Sequence, residues 1–410
     1  MAGRYFEALV LCFCLISISY GLDEESLQNV EYYIPPETGM NISQLLEWYG
    51  YPFENHVVQT TDGYLLGLHR VPYGVQNTST DPNKPVALVV HGMMSQSTDF
   101  VNNEPENSLG LLLADRGYDV WLLNCRGNTH SKRHVTLDPK KNKTKFWDFS
   151  WHEMGIYDVP ETINYILNQT KQEKLFYIGH SQGTTAFFVM ASMMPEYNQK
   201  IRHMTAFGPA AFMSHNEDIK YRTIARFQKE VELLALTLDI HQFMSHTPIP
   251  LYLVKHYCLE GMETYDLCVG IYYLLAGYSP TELNMTLLPV HVSNSPSGFS
   301  VKEGFHYLQG FTNGGYFRQY DYGSIVNRIK YGSPTPPEYN LTNIVCPVSL
   351  HYARKDQCVD FQDVEILLGK LPNAKGRIVP SEYFSHLDFL WGNHVRSELY
   401  DYVLEEILNY

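Results

Sequence analysis

The sequence holds little positive charge, few cysteines and no long apolar run beyond its N-terminus. Lys and Arg total 30 of 410 residues against 44 Asp and Glu, a formal charge of −14. A nucleic-acid-binding surface must concentrate cations to replace phosphate counterions, so this balance argues against such a partner. Charged residues make up only 18% and hydrophobic ones 44%, which excludes a disordered or coiled-coil chain. No later stretch approaches the roughly 18 uninterrupted apolar residues of a membrane span. The longest, residues 271–278, is expected to lie in the core. Five cysteines remain outside the N-terminal leader: Cys125, Cys258, Cys268, Cys346 and Cys358. In an oxidising compartment that odd count leaves at least one thiol without an internal partner. No Cys-x-x-Cys pair occurs and no His pair stands beside these residues, so no metal centre is expected.

What is present begins with a leader. Arg4 precedes an uncharged run over residues 8–18, and the small residues Ser19 and Gly21 come before an acidic stretch at 22–25. The run is too short to span a bilayer and suits a cleaved signal peptide over residues 1–21. Asn41, Asn77, Asn142, Asn168, Asn284 and Asn340 each head an Asn-x-Ser/Thr triplet, the acceptor for N-glycosylation. Together with the leader they point to a glycosylated lumenal or secreted protein.

The mature chain, 22–410, reads as one α/β domain. Apolar runs at 86–90, 118–123, 174–178 and 204–207 predict buried strands. Helical spacing over 154–167 and 184–194 falls between them. This alternation predicts a mostly parallel sheet with helices on its faces. It lapses between about 211 and 340, where aromatic, Met and Leu residues crowd irregular helical stretches. It resumes with strands at 347–353 and 377–379 and helices at 361–368 and 394–408. A sheet interrupted and then completed predicts a largely helical cap insertion.

Gly179-His180-Ser181-Gln182-Gly183 closes one predicted strand and opens one predicted helix. A nucleophile on such a sharp turn sits in a strained backbone, and Gly179 and Gly183 remove side chains that would collide. Ser181 is the candidate nucleophile, and His180 is expected to pack under the turn. Serine needs a base and an orienting acid, which in this fold follow in the order acid, then histidine, on loops after later strands. Asp356 and His386 fit that order. Asp360 and Asp363 read as the start of the next helix, and Asp388 as a residue fixing the histidine loop. The backbone N–H groups of Gln182 and Met93 are the candidate oxyanion donors, Met93 because it follows the first core strand.

These motifs resemble the acid lipase family, the gastric and lysosomal lipases that hydrolyse triacylglycerols and cholesteryl esters. The resemblance runs through Gly50-Tyr51-Pro52, Thr61-Asp62-Gly63-Tyr64, Val90-His91-Gly92 and Asn124-Cys125-Arg126-Gly127-Asn128-Thr129. It continues in the Ser181 motif, in Ser295-Pro296-Ser297-Gly298 and in His386-Leu387-Asp388-Phe389-Leu390-Trp391-Gly392. It implies an α/β-hydrolase fold, a triad at Ser181, Asp356 and His386, a disulfide between Cys258 and Cys268, and activity in acid. Met93 stands where that family usually carries leucine, a difference of little weight for a backbone donor. The expected activity is hydrolysis of neutral-lipid esters at an oil–water interface, with no metal or organic cofactor. Two other readings are a non-catalytic lipid carrier on a hydrolase fold and an esterase for small soluble esters.

Overall fold

The structure, a computed structural model, describes residues 32–410; the expected signal peptide lies outside them. Its centre is an eight-stranded sheet. In chain order the strands are β1 (Glu54–Gln59), β2 (Leu65–Val71), β3 (Val86–Val90), β4 (Asp119–Leu123), β5 (Leu175–His180) and β6 (Ile201–Phe207). After a two-stranded pair, β7 (Gln242–Phe243) and β8 (Phe299–Ser300), the main sheet is completed by β9 (Val348–Tyr352) and β10 (Ala374–Ile378). The spatial order is β1-β2-β4-β3-β5-β6-β9-β10. β2 runs antiparallel to both of its neighbours, and every other pairing in the main sheet is parallel.

The central strands are apolar throughout because both faces are covered. β3, β4 and β5 have no exposed residue, whereas edge strand β1 alternates. Successive side chains on a strand point to opposite faces, so β3 feeds two cores. Leu88 and Val90 join one apolar cluster with Trp121, Tyr177 and Phe187, while Ala87 and Val89 join the other with Ile178, Phe207 and Tyr400. Helix α1 (Leu109–Asp115) and the C-terminal segment cover the second face. Helices α2 (Val159–Thr170) and α3 (Gln182–Met193) cover the first.

Between β6 and β9 the chain forms α4 (Ile219–Arg226), α5 (Gln228–Thr237), α6 (Ile249–Tyr257), α7 (Tyr265–Ala276), α8 (Val301–Thr312) and α9 (Ser324–Tyr331). After β9 comes α10 (Phe361–Lys370). The inserted helices are thinly buried. Val254, Cys258, Met285 and Leu288 form a small separate cluster, and a Cys258–Cys268 disulfide joins α6 to α7 with Cα atoms 5.5 Å apart.

Three sequence expectations shift. Residues 271–278 are core only in part: Tyr272 packs against the small cluster around Val254 and Met285, whereas Leu274 and Tyr278 are exposed on or just beyond α7. The helix expected over 154–167 opens with a π turn, Met154–Asp158, before α2, where Pro160 supplies no N–H to a regular first turn. The β1–β2 hairpin, with Asp62 and Gly63 at its turn, was not legible as strands, because half of β1 faces solvent and reads as polar.

Candidate active site

Parallel pairing lines up the C-terminal ends of four central strands. Val90 pairs with Gly179, His180 with Phe207, and Phe207 with His351. The loops that leave those ends therefore converge. One carries His91-Gly92-Met93, a second Ser181, a third Gly208, and later loops Asp356 and His386. Ligand sites in parallel sheets form at this end for the same reason.

Ser181 sits between β5 and α3 at φ 51°, ψ −117°, a conformation that side-chain-bearing residues rarely adopt. The neighbouring glycines make it possible. A Cβ on Gly183 would stand 2.3 Å from the Val90 carbonyl oxygen, and one on Gly179 would stand 2.9 Å from the Gly183 backbone. The turn is pinned by Ser181 N–H to the Phe207 carbonyl (2.8 Å) and by the Tyr177 hydroxyl to the Gly183 carbonyl (2.7 Å). Gln182 follows as the first residue of α3, so its N–H lies among the unpaired donors at a helix start.

His386 Nε2 lies 2.8 Å from Ser181 Oγ, and Nδ1 lies 2.7 Å from Asp356 Oδ2. An ionised carboxylate only accepts, so the proton sits on Nδ1 and Nε2 is free to accept from the serine hydroxyl. The other Asp356 oxygen accepts the N–H groups of Cys358 (2.8 Å) and Val359 (2.9 Å), which fixes the carboxylate's orientation. Both Asp356 and His386 are buried. The competing acids lie elsewhere: Asp360 caps α10, and Asp363 accepts from Ser214 and His215. Asp388 accepts the Ser385 N–H (2.6 Å) and the Ser279 hydroxyl (2.5 Å), tying the histidine loop to the inserted segment.

His180 does more than pack. Its Nε2–H donates to the His386 carbonyl at 3.0 Å, and burial holds the ring well below the ordinary histidine range, so it braces the base as a neutral group. The first-strand loop also lies against the nucleophile, since a Cβ on Gly92 would stand 3.0 Å from Ser181 Cβ. Buried His91 is pushed down to about 4 and spans this loop, bonding the Gly92 carbonyl through Nδ1 and accepting the Cys125 N–H through Nε2.

Sequence comparison finds lipase and hydrolase matches over most of the chain. A family profile described as a partial alpha/beta-hydrolase lipase region matches residues 42–104, and one for the alpha/beta hydrolase fold matches 85–236. Lipase 3 of Drosophila melanogaster is 41% identical over 88% of this chain and 91% of its own length. Human gastric triacylglycerol lipase is 37% identical, covering 91% of this chain and 92% of its own. Human lysosomal acid lipase/cholesteryl ester hydrolase is 35% identical over 99% of each. The chain belongs to the acid lipase family. A lipase-like crystal structure from Sulfolobus solfataricus shares the fold at 14% identity, with a TM-score of 0.55 over 84% of this chain and 90% of that one.

The structure also brings to the site residues that no sequence motif marks. Gly208 (φ 53°) follows β6, and a Cβ there would stand 3.1 Å from the His386 ring and 3.3 Å from Asp356 Oδ2. Nothing local in the sequence distinguishes it from an ordinary turn glycine. Among the described residues, a cluster with metal-like spacing joins Asp356, Cys358 and His386, with ligand atoms within 4.8 Å of one another. The Asp356–His386 hydrogen bond already occupies the space an ion would need. Cys125 and Cys346 are buried and Cys358 half-buried, none of the three in a disulfide.

A cavity of about 180 Å³ lies between α3 and the inserted segment, walled in part by Trp151, Thr185, Met213, Tyr307 and Phe317. Exposed apolar side chains concentrate on α4–α7 and include Ile219, Phe227, Leu233, Leu236 and Leu274. No described helix is long and apolar enough to cross a membrane.

Proposed function

We propose that the protein is a lipase that cleaves carboxylic esters of neutral lipids, triacylglycerols first and sterol esters as a further class. The observation that carries this reading is the unbroken relay from Ser181 Oγ through His386 to Asp356, at 2.8 and 2.7 Å, on a strained turn. Ser181 Oγ attacks the ester carbonyl carbon while its proton passes to His386 Nε2. Asp356 holds the imidazole tautomer and offsets the imidazolium charge. The N–H groups of Gln182 and Met93 take the carbonyl oxygen as it becomes an oxyanion, and each such donor typically contributes about 10²–10³-fold in rate. The intermediate collapses, the C–O bond to the alcohol breaks, and His386 gives the leaving oxygen its proton. Water, deprotonated by His386, then attacks the acyl-enzyme and releases the fatty acid with the serine hydroxyl restored.

Residues 211–340 serve in this reading as a cap over the strand ends, and the exposed apolar side chains of α4–α7 are its contact with the oil. The gastric and lysosomal relatives support secretion or lysosomal residence, with residues 1–21 as the signal and the six sequons as glycan sites. Four of those asparagines are exposed, and Asn77 and Asn284 are half-buried.

The test is hydrolysis of emulsified triolein beside soluble p-nitrophenyl butyrate, from pH 4 to 8, with wild type and Ser181→Ala. Cleavage of both that falls at least about 10³-fold in the variant is expected. Cleavage of the soluble ester alone would replace the lipase reading with an esterase, and no cleavage of either would leave a lipid carrier.

A further inference from the structure

Ser295-Pro296-Ser297-Gly298 is one of the motifs in which the sequence resembles the family, yet the relay just described does not use it. Its hydrogen bonds go to the loop after β3 and, through Ser297, to Thr129 in the loop after β4. Ser295 Oγ lies 2.9 and 2.8 Å from the two carboxylate oxygens of Asp99, so its proton is shared between them. The Ser95 hydroxyl donates to Asp99 Oδ2 at 2.5 Å, and the Gln96 N–H donates to the same oxygen at 3.2 Å. The Ser297 N–H donates to the Met94 carbonyl at 2.6 Å, and the Gln96 side-chain amide donates to the Asn294 carbonyl. Asp99, Gln96 and Ser297 are at most 2% exposed, and Ser95 and Ser295 at most 8%.

This density of bonds has a local reason. Met94 takes a left-handed φ of 65°, which is unfavourable for a side-chain-bearing residue and persists only where surroundings hold it. The residues held, 94–96, follow Met93 and Gly92, and Gly92 lies beside Ser181. A carboxylate suits the post because every neighbour is a neutral donor and an acid offers several lone pairs to collect them.

We propose that Asp99 and Ser295 form a positioning latch that holds the backbone of residues 92–96, and with it the Met93 N–H, against Ser181. The latch makes the inserted segment part of the catalytic frame: its 294–298 stretch sets the geometry of oxyanion binding without touching substrate. The inference rests on the reading of Ser181 as nucleophile and of Met93 as oxyanion donor.

The test compares Asp99→Asn, Ser295→Ala and the double variant with wild type. Two readouts apply: steady-state hydrolysis of p-nitrophenyl butyrate, and the rate of Ser181 modification by a p-nitrophenyl alkylphosphonate, whose phosphoryl oxygen occupies the oxyanion position. Asp99→Asn is expected to lower kcat by about ten- to a hundredfold with KM within about threefold, and to slow phosphonylation in parallel. Ser295→Ala should lose less, and the double variant should be no worse than Asp99→Asn alone, because the two residues act as one unit. A folded Asp99→Asn variant with wild-type kcat, or one changed in KM alone, would overturn the latch. If Asp99→Asn does not fold, Ser295→Ala decides by the same criteria. Failure of the nucleophile reading shows separately, as a wild type left unmodified at Ser181 or a Ser181→Ala variant that still turns over.

Discussion

At Gly208 the constraint is steric and long-range. The residue faces His386 and Asp356 so closely that a methyl group would push the ring by a few tenths of an ångström, and its positive φ disfavours one in any case. Gly208→Ala should displace the imidazole and reduce kcat by about tenfold or more, with KM little changed; steady-state kinetics on a soluble ester, beside circular dichroism, would check it. Asp356→Asn keeps the shape but favours the wrong tautomer, so a loss of about 10⁴-fold in kcat is expected. The sequence made the Ser181–His386–Asp356 contacts of the proposed triad legible because each residue follows a recognisable strand in a fixed order. It could not reveal Gly208, the His180 bond to the His386 carbonyl, or Asp99, since their partners lie far away in the chain.

Among elements, the central strands were the easiest to read and the inserted helices the hardest. β3 to β5 are covered on both faces and therefore apolar from end to end, whereas α4–α7 show apolar residues to solvent, so their periodicity does not report a buried face. An uninterrupted apolar run such as 271–278 therefore reads as core although Leu274 and Tyr278 face solvent. With so few buried contacts, α6 and α7 lean on the Cys258–Cys268 bridge. Replacing both cysteines by serine should cost about 2–3 kcal/mol of local stability. Amide hydrogen exchange would show faster exchange in α6–α7 and unchanged protection in β3–β6, and a uniform change across the sheet would contradict this picture.

Over the whole molecule, burial sets two opposed proton balances. Burial pushes Glu303 up to about 8, Asp388 to about 7 and Asp99 to about 6. These groups hold protons in the folded state that the unfolded chain has released, so each contributes a loss of stability as pH rises from its unfolded value toward its folded one. Burial also pushes His69 and His291 down to about 3, and His91, His130 and His203 to about 4. Those rings stay neutral in the fold but protonate when unfolded, so stability is lost as pH falls below about 6.5. With more such imidazoles than carboxyls, the thermal midpoint should peak between about pH 6 and 7. Glu303→Gln, a neutral stand-in for the protonated acid, should flatten the alkaline side of that peak and leave the acid side in place.

The exposed apolar helices carry a consequence for how the protein meets its medium. The sequons stop at Asn168 and resume at Asn284, so the stretch bearing Phe227, Leu233 and Leu274 holds no sugar acceptor. With glycans at the six asparagines, the molecule is itself a surfactant, oily over one stretch and sugar-clad elsewhere. Such a molecule adsorbs in one orientation, and its crowding on a droplet is limited by the area on offer. Turnover would then scale with the surface of the emulsion and not with the molarity of fat, and finer droplets of the same total lipid would be consumed faster.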